Sequence, residues 1–334
     1  MELEIVRLNQ ADQRFLRQVD AYILTDTTNG EFINTYRYLS YHSPERFKDD
    51  SVAVVDKGSR EVRGIMMAAC LPCDDSHIIS HPGTTFSGIV LNSRMKMSEN
   101  KKVLERCFAY YEEKYKIIET RIRPSIYDNQ PMDWINYFLM NRGYQYGMMG
   151  LANVINIKGI EREEEQFLLY DTKRRNQVKK VLKGNNYIFH EENEIDCCYW
   201  SHMNQNLKER YDALTTHTYG EIKSLYEKCQ GNIGIYSVHR NTGEYGAFAL
   251  IYKFKNVFHT QYLDLNYEYS SEYPHLFLIH NLIQIARKEG YSYFSFGAST
   301  ENRGKYLNEG LYHYKEGYGG GSILLPVYIK DLNK

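Results

Sequence analysis

Twice along this chain a β-hairpin pattern gives way to strand, helix, strand, helix and strand, and that order restricts the fold more than any single residue does. In the first half "SVAVVDKG" and "EVRGIMMAACLP" flank the turn Lys57–Arg60 and read as an antiparallel hairpin. "HIISHPGTTFSGIVL" follows as a strand with a proline–glycine interruption. "ENKKVLERCFAYYEEKY" has apolar residues at 103, 104, 107, 108 and 111, which is helical spacing. "KIIETRIRP" reads as a strand, "MDWINYFLMNRGY" as a helix ended by Gly143, and "MMGLANVINI" as a further strand.

In the second half, helices cover roughly 161–183 and 196–229. "GNIGIYSVHR", "EYGAFALIYKF" and "VFHTQYLDLN" form a three-strand antiparallel meander. "YPHLFLIHNLIQIARKEGY" is a helix, apolar at 276, 279, 282, 283 and 286 and stopped by Gly290. "SYFSFGAS" and "SILLPVYI" supply two more strands. The order predicts an α/β fold with mixed sheets in two copies, divided at the charged stretch "KGIEREEEQ" into domains 1–157 and 158–334. A single large α+β domain is the alternative.

Composition bounds the function. Two domains suit 334 residues, and 43% hydrophobic with 25% charged residues is ordinary for a globular protein. No apolar run approaches the ~20 residues that span a bilayer, and "MELEIVRLNQADQ" lacks the layout of a signal peptide, so a cytoplasmic protein is expected. A net charge of −1 argues against indiscriminate nucleic-acid binding. The six cysteines show no disulfide framework.

Four stretches carry possible chemistry. In "DTKRRNQVKKVLKG" Asp171 caps and Gly184 ends a helix whose apolar arc of Val178, Val181 and Leu182 takes in Arg174, with Arg175 on its edge. A guanidinium aimed at a packed face needs an internal partner or a ligand phosphate. In "ACLPCDDSHIISH" Cys70, Cys73, His77 and His81 have the order of metal ligands, but they lie between strands without a second cysteine pair, and no metal is expected. His81 stands among small residues in "SHPGTTFSG" with Thr84 nearby, as a general base or as a hydrogen-bonded turn histidine. "RNTGEYG" approximates a pyrophosphate loop but falls in a hairpin turn, and the loop after "HTQYLDLN" has no glycine. Finally, "LYHYKEGYGGG" brings Tyr312 and Lys315 to a loop before the last strand. There Gly317, Gly319, Gly320 and Gly321 would let main-chain N–H groups approach an anion; a glycine-rich bulge with an exposed lysine is the plainer reading.

"RRNQVKK" at 174–180 resembles the R-N-x-[IV]-[RK]-K helix of the Fem-type (FemABX) peptidoglycan-bridge aminoacyltransferases. "YPHLFLIHNLIQIARKEGYSYFSFGA" with "LYHYKEGYGG" is similar to their P-x-x-L-L…A-x-x-x-G-Y-x-x-F-D-F-G…L-Y-x-F-K-x-G-F-G pattern. The resemblance implies two tandem GNAT-like domains and acyl or aminoacyl transfer to an amine or hydroxyl. It implies that Lys315 contacts a phosphate and stabilises the oxyanion, and it matches Arg175 and Asn176 to the helix pair. Serine at 295 replaces the aspartate of that pattern, and no aspartate follows "SHPGTTFSG", whose wording looks more like the GNAT-like sugar acyltransferases of surface-polysaccharide synthesis.

The expectation is therefore an acyltransferase acting on a sugar-nucleotide, cell-wall or surface-polysaccharide precursor. Lys315 and His81 would be catalytic, and Arg174, Arg175, Asn176, Thr84, Tyr312 and Gly319 would bind substrate. The donor would be acyl-coenzyme A or aminoacyl-tRNA, with tRNA then a partner, and the acceptor a phosphate-bearing small molecule or sugar. A non-catalytic GNAT-fold protein with a phosphate pocket is the other reading.

Overall fold

The computed structural model describes residues 2–43 and 45–333. The chain divides into two compact units: 1–150 with 302–305 and 324–334, and 151–301 with 306–323. The division thus falls a few residues before the expected 157/158, and it is not a single cut, because the C-terminal strand returns to the first unit.

The first unit contains β1 (Leu3–Arg7), α1 (Gln13–Thr25), α2 (Tyr36–Leu39), β2 (Lys48–Asp49), β3 (Val52–Asp56) and β4 (Val62–Met66). There follow β5 (Ala68–Cys70), β6 (His77–Ser80), β7 (Ile89–Leu91), α3 (Met97–Lys114), β8 (Ile117–Arg121) and α4 (Trp134–Asn141). The β3–β4 hairpin forms as expected, with Arg60 left-handed at φ 63° in its turn. The interrupted strand becomes β6 and β7 in different sheets, because Pro82 and Gly83 turn the chain between them. β6 runs through α3 to β8 and pairs with it in parallel. Val103, Leu104, Cys107, Phe108 and Tyr111 of α3 are fully buried, so the helical spacing in the sequence was the core-facing stripe.

β9 (Gln145–Asn156) leads into the second unit, which begins with α5 (Glu163–Leu169) and α6 (Thr172–Gly184). These replace the one helix expected over 161–183, because the Asp171 side chain accepts from Arg174 N at 2.6 Å and starts a new helix there. The helix expected over 196–229 is likewise two, α7 (Cys197–Tyr211) and α8 (Tyr219–Lys228), broken by left-handed Asp212 and recapped by Thr218 with Glu221.

β10 (Tyr187–Glu192), β11 (Ile233–Arg240), β12 (Tyr245–Lys253) and β13 (Val257–Leu265) pair antiparallel in order. α9 (Pro274–Lys288) then carries the chain to β14 (Tyr293–Ala298), parallel to β13 and antiparallel to β9. The short strands β15 (Thr300–Glu301) and β16 (Tyr306–Leu307) precede α10 (Glu309–Glu316) and β17 (Gly321–Asp331). β17 pairs with β8 from Val327 to Asp331. In each unit a parallel strand pair is joined through a long helix, and each has its own buried cluster.

Candidate active site

Beyond its first three residues β13 leaves β14: the parallel pairing covers only Val257–His259 with Tyr293–Ser295. A bulge follows at Gln261, since Ile251 faces Thr260 while Leu250 faces Tyr262. Bulges re-aim the side chains that follow them. From here Tyr262, Leu263, Asp264 and Leu265 line a cavity of about 810 Å³ whose other walls come from α7, α9 and α10.

Lys315 lies on α10, directly after the cavity-lining Tyr314. The expected loop is thus a helix, started by the Asn308 side chain accepting from Leu311 N at 3.0 Å. Lys315 is only 5% exposed. Its Nζ donates to the carbonyls of Ala298 at 2.6 Å and Gly297 at 3.2 Å, where β14 ends. Burial pushes its pKa down to about 8. An ammonium has three protons, and two of them are committed here. The third has no acceptor among the described residues, and Lys315 itself is not among those that line the cavity. Close by, His259 is buried with Nδ1 3.1 Å from Ser295 Oγ; burial, and then the charge on Lys315, hold its pKa at about 3. Ser295 thus stands where the aspartate of the Fem-type pattern would stand, and it turns toward an imidazole.

The glycine run does not form the expected anion cradle. Gly317 N donates to His313 O, Tyr318 N to Lys315 O and Gly319 N to Glu316 O, so these amides close the end of α10. Gly319 has φ +87°, and a Cβ there would come within 2.6 Å of Leu169 O. The glycines stop the helix and let it pack.

The arginines are also occupied by main chain. The Arg174 guanidinium carbon lies 4.6 and 4.5 Å from the ring centroids of Tyr314 and Tyr318, and its Nη2 donates to Tyr314 O at 3.1 Å. Arg175 donates to Phe167 O at 2.9 Å and Tyr170 O at 3.0 Å. The internal partners are therefore carbonyls and rings. Asn176 is exposed on α6, and Tyr312 is half-buried on α10.

His81 and Thr84 belong to the first unit. His81 is 4% exposed, and its ring stacks on His42 with centroids 5.8 Å apart. Its Nδ1 accepts from Gly83 N at 3.2 Å, which puts the proton of the neutral ring on Nε2. Burial, then His42 and Arg121, press its pKa down to about 3. In this arrangement the neutral His81 ring can donate a hydrogen bond from Nε2 and is a weak base, and its bond to Gly83 N is that of the turn histidine. Thr84 Oγ1 donates to His81 O at 3.0 Å and closes the turn. His81 lines a cavity of about 520 Å³ with His42, Phe47, Tyr36 and Asp49.

Of the cysteine–histidine motif, Cys70 is buried at the end of β5 with its thiol pushed up to about 11 by burial, Cys73 is exposed, and His77 Nε2 lies 3.7 Å from Glu119. Among the described residues, the side chains close enough to share a metal ion are Asp196, Cys197 and Cys198, all exposed.

The sequence reading missed the cavity's own polar groups. Asp264 is 8% exposed; its Oδ2 accepts from His202 Nδ1 at 2.6 Å and Tyr245 OH at 2.7 Å, and its Oδ1 from Asn206 at 2.8 Å. Tyr262 OH lies 2.6 Å from His217 Nδ1, and burial raises its pKa to about 12. An aspartate inside an apolar strand was the available signal; the bulge that turns it toward the cavity has no sequence mark.

Residues 173–316 match the family model described as an acetyltransferase (GNAT) domain. Comparison with curated protein sequences gives no match. Among solved structures, FemX is similar over 100% of this chain and 98% of its own, with a TM-score of 0.69 and 13% identity. L-PGS from Bacillus licheniformis is similar over 95% of this chain and 90% of its own, at 0.57 and 12%. A tandem GNAT protein from the clavulanic acid biosynthesis pathway is similar over 99% of both chains, at 0.53 and 10%. At such identities these likenesses speak for the fold. They agree with the mixed-sheet architecture and with the Fem-type resemblance of the sequence.

Proposed function

Starting from a chain of two GNAT-like units with an acetyltransferase domain over 173–316, we propose that it transfers an acyl or aminoacyl group from an activated ester or thioester to an amine or hydroxyl. The observation that carries this reading is the buried Lys315 ammonium on the helix that contributes to the wall of the 810 Å³ cavity, with one proton that no acceptor among the described residues takes.

In the reaction the acceptor nitrogen or oxygen attacks the acyl carbon. A C–N or C–O bond forms, the bond to the leaving sulfur or oxygen breaks, the acceptor's proton departs and the leaving group takes one up. Lys315 would face the carbonyl oxygen as it becomes an oxyanion; one such donor is worth ~3–4 kcal/mol in well-studied hydrolases. Arg174 would set the position of Lys315, since it grips the last turn of α10 through Tyr314 and Tyr318. The acceptor would be a sugar-nucleotide, cell-wall or surface-polysaccharide precursor, made in the cytoplasm. Among the described residues no helix is long and apolar enough to cross a membrane.

Coenzyme A is the donor the GNAT fold implies, and the start of α9 does not suit its pyrophosphate. Pro274 has no N–H, Leu276 N and Phe277 N donate to Tyr273 O, and Glu268 and Glu272 flank the turn. A donor that places no pyrophosphate at this helix fits better. The second reading, a binding protein without chemistry, draws on Arg174 and Arg175, each of which has part of its guanidinium held by main-chain carbonyls. The full chain incubated with radiolabelled aminoacyl-tRNA or acyl-coenzyme A and a cell extract separates the two. Label passing to an extract component supports the enzyme, and label remaining on every donor overturns it.

A further inference from the structure

The acyl group itself leaves a trace in the cavity of the second unit. Most of the wall is hydrocarbon, with Met203 and Leu207 from α7 and Leu278 and Ile279 from α9. At its edge Tyr211 and Leu214, 66% and 69% exposed, carry the apolar lining out to the surface. Three of the four acceptor positions of the buried Asp264 are taken by His202, Tyr245 and Asn206. The other carboxylate, Glu301, is exposed and accepts from Asn308 at 2.8 Å. An α-aminoacyl group would therefore carry its ammonium past oily walls to a carboxylate already engaged, which is costly. An uncharged chain meets no such cost.

The cavity has one arginine or lysine in its lining, Arg210, at the end of α7. Its guanidinium carbon lies 3.3 Å from the centroid of the Tyr267 ring, and it has no carboxylate partner among the described residues. A cation lying flat on an aromatic ring keeps its N–H edge open to an anion.

We propose that this cavity binds the uncharged hydrocarbon chain of an acyl group, with an anionic group of the same ligand resting on Arg210. The proposal rests on the acyl-transfer reading of the same site and narrows it to acyl groups without an α-ammonium.

Calorimetric titration of the full chain with sodium hexanoate, octanoate and decanoate, and with octylammonium chloride, tests it. The expected result is one site per chain, with affinity rising about fourfold per added methylene (~0.8 kcal/mol) and octylammonium binding worse than octanoate. Arg210→Ala should weaken all three carboxylates about fivefold and leave the chain-length dependence unchanged. Leu214→Glu, at an exposed position that folding does not need, should weaken them as well. Affinity independent of chain length, or octylammonium binding as well as octanoate, overturns the proposal. Label transfer from an aminoacyl donor by a protein that ignores octanoate refutes this inference alone. Chain-length-dependent binding by a protein that transfers nothing refutes the catalytic reading and leaves this one standing.

Discussion

Lys315 donates to the carbonyl of Ala298 at 2.6 Å from a position that is 5% exposed, so a charged amine is held inside the second unit by main-chain oxygen.

That contact fixes a pH signature. Burial lowers the Lys315 pKa from 10.5 to about 8, so between these values the unfolded chain binds more protons than the folded one. The cost of the buried charge is complete below pH 8 and is relieved as pH rises toward 10.5, amounting to ~3 kcal/mol across the window. Lys315→Met should abolish this rise in urea-unfolding stability between pH 8 and 10.5. The same variant should lose about 100- to 1,000-fold in turnover of the true substrate.

The buried histidines act with the same sign at the acid end. His81 and His259 are held near a pKa of about 3 and His275 near about 4, in each case mainly by burial. Their neutral forms favour the folded state fully above pH 6.5, and this stability is lost as pH falls through the window. The expected loss is on the order of 2 kcal/mol per histidine by pH 5. Unfolding curves at pH 7, 6 and 5 should show it, and His259→Gln should flatten the dependence.

Two glycines with similar backbones should respond differently. Gly319 (φ +87°) would drive a Cβ against Leu169 O at 2.6 Å, whereas Gly290 (φ +83°) has nothing within 4 Å. Gly290→Ala should cost ~1 kcal/mol from its backbone alone. Gly319→Ala should cost more, up to ~3 kcal/mol, and should reduce activity because the turn anchors the Lys315 helix. Urea midpoints with an unchanged slope would check both.

In the first unit Asp50 is 3% exposed and accepts from Arg7 at 3.0 Å, Lys114 at 2.8 Å, Tyr110 at 3.0 Å and Tyr115 at 2.9 Å. Asp50→Leu leaves those donors without an acceptor and should destabilise the protein by ~3–5 kcal/mol. Calorimetry should show the effect, with a smaller loss for Asp50→Asn.

The sequence showed most of the elements and little of the site. Asp171, Gly143 and Gly290 were readable because caps and stops act within a turn of where they stand. The helix that carries Lys315 was not readable: it has eight residues, includes Gly310 and borders a glycine run. Local propensity disfavours such a helix, and its hold on Arg174 comes from the distant α6. His81 was found as a residue with two readings, general base or turn histidine, and the burial and Gly83 amide bond that bear on the choice are made only in the fold. Asp264 and Tyr262 reach the cavity through a bulge, a register event between two strands that neither strand announces.

β17 bonds to β8 from Val327 to Asp331, and Leu332 N adds a bond to Lys116 O at 2.8 Å. During synthesis on the ribosome, everything else in the first unit except residues 302–305 emerges long before that strand. The portion translated first is thus completed last, waiting with an open sheet edge while the second unit is made. A fragment cut at residue 157 would preserve that unfinished state, and co-expression with a peptide spanning 321–333 should restore its solubility.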